Sequence, residues 1–196
     1  MINYPKGSIS NNKQLKTSSI NYGSRGMSLE DQINASNDYY LNKKIAVIHK
    51  KPTPIQIVQV DYPRRSAAKI TEAYFRQQST TDYNGVYKGH YIDFEAKETK
   101  NKTRFPLNNL PLHQRKHMEN CSIHGGIVFL ILSFTFHGEI YLIPFSELKY
   151  FFNDSQRKSI PYNFIKKHGI LCPRSIFPMI DYLKAVDIYL SELGID

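Results

Sequence analysis

The nine residues GIVFLILSF at 126–134 constrain the fold of this 196-residue chain more than any other stretch. They are almost all apolar, yet the run is far shorter than the roughly 18 residues that a membrane-spanning helix needs. A run of this kind is typical of a central strand that is covered on both faces. The segment EIYLIPF at 139–145 is its expected hairpin partner.

Other patterns predict the elements around this strand. Ser28 with Asp31 forms a short capping box, so a helix is expected to follow with Leu29, Ile33 and Tyr40 near one face. Strands in the middle of the chain, with helices before and after them, indicate an α/β domain with a mixed sheet. Further helices are expected at 66–79, from about 112 and at about 180–193, and strands at 44–49 and on both sides of an Asn84-Gly85 turn.

Residues 50–65, KKPTPIQIVQVDYPRR, differ from the rest of the chain. Pro52, Pro54 and Pro63 interrupt this segment, although IQIVQV has the composition of a strand. Because proline is tolerated in sheets mainly at edges and strand ends, the segment is expected to be a projection or an insertion.

The formal net charge of +9 favours a polyanionic partner, with nucleic acid ahead of an anionic membrane. A basic enzyme with a small substrate is the alternative. Residues 1–26 are mostly Asn, Ser, Lys, Gly and Tyr and contain no acidic residue, so they are expected to form a flexible basic arm. Such an arm suits a nucleic-acid backbone.

The chain has two cysteines, Cys121 and Cys172, which do not make a disulfide framework. The N-terminus also has no charged start followed by an apolar stretch, so no signal peptide is expected. We therefore expect a reducing cytoplasmic location and no membrane partner.

The segment HYIDFEAKET at 90–99 carries the candidate chemistry. In a strand, Asp93, Glu95 and Lys97 point to one side, where the two carboxylates repel each other. A divalent cation makes such a row tolerable, since Mg²⁺ favours carboxylates, waters and phosphate oxygens. Lys97 then supplies positive charge for a water or a phosphate, and Asp82 adds a third carboxylate. The plain alternative is a solvated strand face.

Asp82, followed by Glu95-Ala96-Lys97, resembles the active-site pattern of the PD-(D/E)xK nuclease superfamily. The surrounding wording is more specific and closely resembles the RecU family of Holliday junction resolvases, from about Arg25 to about Leu148. The matching stretches are RGMSLEDQINASNDYY, IHKKPTPIQIVQV, AYFRQQSTTDYNGVYKGHYIDFEAKET, FPLNNLPLHQ and GGIVFLI.

The resemblance implies a restriction-endonuclease-like fold, with a nuclease domain at 27–196 and a projecting stalk at about 52–76. It implies a homodimer that acts on four-way junction DNA with Mg²⁺, for which Mn²⁺ is expected to substitute. It further implies association with the RecA recombinase and with the branch-migration machinery.

The resemblance also assigns roles to individual residues. Pro111 departs from the family and is expected to affect how the helix after it presents its side chains. The implied catalytic residues are Asp82, Glu95 and Lys97; the metal ligands are Thr80, Asp82, Glu95 and Gln114; the DNA-binding residues are Arg25, Lys50, Arg65 and Arg76. Asp93 lies on the same face without an assigned role.

Three other interpretations of these residues are open. His113 and His117 invite a zinc site, as do Cys121 and His124, but no Glu follows the first His as a metalloprotease motif requires. A restriction-type nuclease on the same fold is the second. The third is a non-catalytic protein that binds junctions and anneals strands, which would not need the acidic residues of the strand.

Overall fold

The computed structural model describes residues 27–76, 80–154 and 156–195, so the predicted basic arm at 1–26 lies outside the described residues. The helices are α1 (Leu29–Asn42), α2 (Leu112–Ile123), α3 (Phe145–Asn153), α4 (Tyr162–His168) and α5 (Tyr182–Glu192). The strands are β1 (Val47–Lys50), β2 (Ile55–Asp61), β3 (Lys69–Phe75), β4 (Tyr83–Tyr87), β5 (His90–Thr99), β6 (Arg104–Pro106), β7 (Ile127–Phe134), β8 (Glu139–Pro144), β9 (Ser159–Pro161) and β10 (Ile170–Leu171).

Six of these strands form a mixed sheet in the order β1-β4-β5-β7-β8-β10. β5 and β7 are parallel, and the other neighbouring pairs are antiparallel. The predicted central strand is confirmed as β7, which is buried at every residue, and β8 is its antiparallel neighbour. Because β5 and β7 are parallel, the chain must cross back over one face of the sheet between them, and α2 makes this crossover.

Apolar side chains cover both faces of the sheet, which confirms the α/β class. On one face, Ile92 and Phe94 of β5 pack with residues of α1 and α5. The Phe94 ring stacks between Tyr83 and Phe129, with centroid distances of 4.8 and 4.9 Å. On the other face, residues of β7 and β8 pack with residues of α2, α3 and α4.

The first helix begins as predicted. The Ser28 hydroxyl accepts a hydrogen bond from the Asp31 amide, and the Asp31 carboxylate accepts one from the Ser28 amide, both at 3.1 Å. The three apolar residues predicted near one face are buried. The strand predicted at 44–49 begins only at Val47, because Lys44 has a positive φ of 57° at the turn after α1.

β2 and β3 form a separate two-stranded hairpin, paired from Ile55 with Phe75 to Asp61 with Lys69. Every residue of both strands is exposed, so the hairpin projects from the body. The prediction of a helix at 66–79 is therefore wrong, because Lys69–Phe75 form β3 instead. The segment is rich in β-branched and aromatic residues, and β2 supplies the hydrogen-bonding partner that a strand needs.

The predicted Asn84-Gly85 turn is also wrong, because both residues lie inside β4. The chain turns instead at Lys88 and Gly89, whose φ angles of 48° and 79° suit a tight hairpin. Gly85 has a different use in the structure. A Cβ atom there would lie 2.1 Å from the carbonyl oxygen of Val47, so a glycine lets β1 approach β4 closely.

Candidate active site

Asp82 and Glu95 meet at the start of β4. Tyr83 pairs with Phe94 in the antiparallel β4–β5 register, which places Asp82 beside Glu95. The backbone amide of Asp82 donates a hydrogen bond to Oε2 of Glu95 at 3.0 Å. The Asp82 carboxyl group also lies close enough to Glu95 to raise the pKa of the Glu95 carboxyl. The structure thus brings together two carboxyl groups that are 13 positions apart in the chain.

Glu95 is fully buried, and its environment favours the protonated carboxyl. Burial, followed by the hydrogen bond with Asp82, raises the pKa of Glu95 to about 8, while the nearby charge of Lys97 opposes this rise. The Lys97 ammonium lies 2.6 Å from Oε1 of Glu95 and remains partly accessible to solvent. The raised pKa of Glu95 means that this carboxyl tends to keep a proton, and a cation that binds there can replace that proton.

Gln114 lies on the helix that covers this face of the sheet. Its side chain is buried, and its Oε1 atom has no hydrogen-bond partner among the described residues. His117, one turn later on α2, contacts Asp93 at 3.3 Å. Since α2 runs antiparallel to β5, about one turn back along α2 corresponds to about two residues forward along β5. From this geometry we infer that Gln114 lies near the level of Glu95.

Pro111 does not disturb the helix that carries Gln114. It occupies the position immediately before α2, where a missing backbone N–H costs little. Thr80 lies in the segment that leads into β4, and its hydroxyl donates to the carbonyl oxygen of Thr81 at 3.2 Å. Four of the predicted site residues, namely Asp82, Glu95, Lys97 and Gln114, therefore lie on or against one face of β5, and Thr80 lies two residues before the first of them.

The donor set suits a hard divalent cation. Two carboxyl groups and an amide oxygen are ligands that Mg²⁺ accepts, and the buried oxygen of Gln114 lacks any other partner among the described residues. A buried polar atom without a partner is costly unless a ligand satisfies it. The residues present therefore fit the predicted cation.

A second polar cluster lies beside this site, around the buried carboxylate of Asp93. The Lys51 ammonium lies 2.6 Å from Asp93 Oδ2 and 2.8 Å from Thr81 Oγ1. The Thr81 and Tyr91 hydroxyls both donate to the same carboxylate, and His117 lies against it. The sequence indicated only that Asp93 shares a face with Glu95. Tyr91 lies on the same strand, but Lys51, Thr81 and His117 come from three other segments.

The same cluster contains the donor atoms of Asp93, His117 and Cys121, all within 4.8 Å of one another. The zinc interpretation from the sequence instead pairs His117 with His113, and Cys121 with His124. Three donors of these types can bind a transition metal, but the ammonium group of Lys51 already lies against two of them, at 2.6 Å from Asp93 and 3.3 Å from His117. The cluster is therefore neutralised by a cation of the protein itself.

The predicted DNA-binding residues lie in different places. Arg25 is outside the described residues. Lys50 forms an ion pair with Glu30 of α1. Arg65 lies in the short turn between the two strands of the hairpin, and Arg76 follows β3, where its Nε donates to Gln56 at 3.2 Å. Lys50 and Arg76, whose side-chain contacts are described, thus bind different segments of the chain.

No helix in the described parts of the chain is long and apolar enough to cross a bilayer.

The chain is similar to a protein family, to individual relatives and to a solved structure. The family model described as Recombination protein U matches residues 24–188. The chain is 59% identical over 175 residues to the Holliday junction resolvase RecU of Geobacillus kaustophilus, covering 87% of this chain and 88% of the relative. It is 56% identical over 192 residues to the RecU of Streptococcus mutans, covering 95% and 96%. A solved structure of the Holliday junction resolvase Hjc of Archaeoglobus fulgidus is similar with a TM-score of 0.41 and 10% identity, over 71% of this chain and 94% of that chain.

Proposed function

Because this chain belongs to the RecU family, we propose that it is a structure-specific endonuclease that resolves Holliday junctions in homologous recombination and DNA repair. The observation that carries this proposal is the meeting of the Asp82 and Glu95 carboxyl groups beside the Lys97 ammonium on one face of the sheet. That arrangement supports cation-assisted hydrolysis of a phosphodiester, and it supports it more strongly than a role limited to DNA binding.

The proposed cation is Mg²⁺, with Mn²⁺ as its substitute, held by Asp82, Glu95, Gln114 and Thr80. When bound, such a cation neutralises charge on the scissile phosphate and lowers the pKa of a coordinated water. Glu95, whose pKa is raised, would release its proton on becoming a ligand. The amide of Asp82 keeps Glu95 oriented throughout, through its hydrogen bond to Oε2.

Lys97 is the proposed stabiliser of the transition state. Its ammonium group is held by Glu95 and still reaches solvent, so it can donate to a phosphate oxygen on which negative charge develops. Water attacks phosphorus, and the bond between phosphorus and the 3′ oxygen breaks. The products have 5′-phosphate and 3′-hydroxyl ends, which a ligase can seal.

We further propose that the protein acts as a homodimer. Two active sites related by a two-fold axis can nick two opposed strands of a four-way junction, which gives a physical reason for the symmetry. Residues 27–196 would form the nuclease domain of each subunit, and the hairpin within 52–76 would be the stalk between the two bodies. Its exposed apolar residues, including Ile57, Tyr74 and Phe75, support a role in contact with a partner or DNA.

DNA contacts are proposed for Lys50, Arg65, Arg76 and Arg25, the last within a basic arm at 1–26. RecA and the branch-migration machinery are proposed as protein partners, and the cytoplasm as the place of action. The net charge of +9 supports the nucleic-acid part of this proposal.

The test is cleavage of a labelled four-way junction beside a linear duplex of the same arm sequence, with Mg²⁺ and with EDTA. Glu95→Gln, compared at matched junction binding, tests the carboxylate. Paired nicks on the junction that require Mg²⁺ and disappear in Glu95→Gln are the expected result. Sequence-dependent cutting of the linear duplex would favour a restriction-type nuclease, and tight junction binding without cleavage under any divalent cation would favour a strand-annealing protein.

A further inference from the structure

We propose that Lys51 and Asp93 form a positioning pair that fixes the cation ligands of the active site relative to one another. This inference rests on the proposed function, because it concerns the same cation site. It assigns a positioning role to Lys51, which follows Lys50, and to Asp93, which lies two residues before Glu95.

Lys51 holds the segment that carries Asp82 through both its backbone and its side chain. Its amide donates to the carbonyl oxygen of Asp82 at 2.7 Å. Its ammonium donates to Thr81 Oγ1 at 2.8 Å. The backbone amide of Asp82 in turn donates a hydrogen bond to Glu95 Oε2. The peptide groups on both sides of Asp82 are thus fixed, one by Lys51 and the other by Glu95.

Asp93 connects this segment to the strand and to the helix. Its fully buried carboxylate accepts from Lys51, from the hydroxyl of Thr81 and from the hydroxyl of Tyr91, and lies 3.3 Å from His117 of α2. Asp93 lies two residues before Glu95 on β5, and His117 lies three residues after Gln114 on α2. One carboxylate therefore links three segments that each carry a proposed cation ligand.

Asp93 is already engaged by protein groups, so we assign it a positioning role and not the role of a cation ligand. Both carboxylate oxygens already accept hydrogen bonds, and the neighbouring ammonium balances its charge. Buried partners of this kind orient the groups that bind a metal, and losing them typically weakens metal binding about 10–100-fold. A weaker cation affinity, with DNA binding unchanged, is thus the signature of a positioning role.

The experiment measures Mn²⁺ binding by calorimetry on the dimer or monomer as purified, without DNA. The variant is Lys51→Met with Asp93→Asn, which removes the pair and leaves the net charge unchanged. The matched control is Lys88→Met with Asp187→Asn, which removes an ion pair of 2.8 Å that is exposed at the β4–β5 turn. Junction binding in EDTA, thermal unfolding and cleavage against Mn²⁺ concentration are measured on the same proteins.

We expect the Lys51/Asp93 variant to bind Mn²⁺ about 10-fold more weakly and to need about 10-fold more Mn²⁺ for half-maximal cleavage. Its junction affinity in EDTA and its cleavage at saturating Mn²⁺ should stay within about 3-fold of wild type. An unchanged Mn²⁺ affinity, or an equal loss in the control, would overturn the inference. A loss of junction affinity would do the same, since it would place the pair on DNA.

Two further outcomes separate this inference from the proposed function. If wild type cleaves no junction but the Lys51/Asp93 variant still loses Mn²⁺ affinity, the proposed function fails and the positioning role stands. If the double variant does not fold, Thr81→Val removes one hydroxyl of the same network and should weaken Mn²⁺ binding about 3-fold, in the same direction. No change in that variant would count against the inference.

Discussion

The backbone amide of Asp82 donates to Oε2 of Glu95 at 3.0 Å, so one proposed cation ligand orients the other before any cation is bound. This hydrogen bond depends on the β4–β5 register, in which a shift by one residue would place Glu95 on the opposite face of the sheet. The strand pairing and the chemistry of the site are therefore set by the same contacts.

Lys97→Met should lower the rate of junction cleavage at saturating Mg²⁺ by about 10²–10³-fold, because it removes the charge that we propose to stabilise the transition state. Junction binding in EDTA should stay within about 3-fold of wild type. Single-turnover cleavage separates the two effects. Lys100→Met is the control, and a similar loss in that variant would mean that general charge, rather than the position of Lys97, is responsible.

Stabilisation by Mg²⁺ should increase with pH. The pKa of Glu95 is raised to about 8, so between its ordinary value and pH 8 the folded chain keeps a proton that the unfolded chain releases. Without the cation, the stability that this retained proton gives the folded chain is lost as the pH rises through about 8. A bound cation must displace the proton, so its apparent affinity should rise by up to about tenfold per pH unit below pH 8 and then level off.

The measurement is the increase in Tm on adding Mg²⁺, taken at intervals from about pH 6.5 to pH 9, on either side of the raised pKa. Glu95→Gln should show no such pH dependence. An increase in Tm that is equal at all pH values in wild type would show that no proton leaves on binding.

Gln114→Leu should separate stability from cation binding. The Oε1 atom of Gln114 is buried without a hydrogen-bond partner among the described residues, so an apolar side chain of similar size should leave the free energy of unfolding unchanged or raise it by about 1 kcal/mol. Mn²⁺ affinity should fall about 10-fold, as expected for a lost ligand or a disturbed ligand shell. Urea unfolding and calorimetry test the two parts, and a destabilised variant with normal Mn²⁺ affinity would refute the assignment.

Gly85→Ala should destabilise the body by about 3 kcal/mol, because its Cβ would lie 2.1 Å from the Val47 carbonyl oxygen and 2.6 Å from the Cα of Ile48. Val86→Ala, at the next position on the strand and half-exposed, should change stability by no more than about 0.5 kcal/mol. The free energy of unfolding in urea decides between them. If both variants lower the free energy of unfolding by the same small amount, β1 can move away from β4 without destabilising the sheet.

Junction binding should weaken steeply with salt. If a dimer neutralises about 6–10 phosphates, affinity should fall about 10³–10⁵-fold between about 50 and 200 mM salt. Arg65→Ala and Arg76→Ala should each reduce the slope of log K against log salt by about 1. Gel-shift titrations in EDTA measure this slope, and a flat dependence would remove the polyanion argument.

Patterns that report burial predicted much of the fold. The apolar run at 126–134 predicted the buried strand β7. The alternation of residues in β5 predicted that Glu95 and Lys97 share one face, and both predictions are confirmed. The two wrong predictions concern β3 and Asn84-Gly85. There, tertiary contacts override local preference, because β2 makes a strand of the expected helix and β1 takes up the space beside Gly85.

The partners of Asp93 could not be predicted from the sequence. Lys51 follows another lysine, and nothing in the run shows that its ammonium turns inward while Lys50 pairs with Glu30 at the surface. Thr81 joins Asp93 only when β4 pairs with β5, and His117 joins it only when α2 packs against β5. Such a network depends on distances between segments that periodicity does not encode.

The crossover through α2 also bears on when the protein becomes active. The proposed cation ligands Asp82, Glu95 and Gln114 lie on three segments. Glu95 and Gln114 come together only when β5 and β7 pair in parallel on either side of the crossover. Pairing of this kind is a non-local event that forms slowly compared with a hairpin. The proposed cation site is therefore complete only after the slowest kind of strand pairing in the sheet has formed.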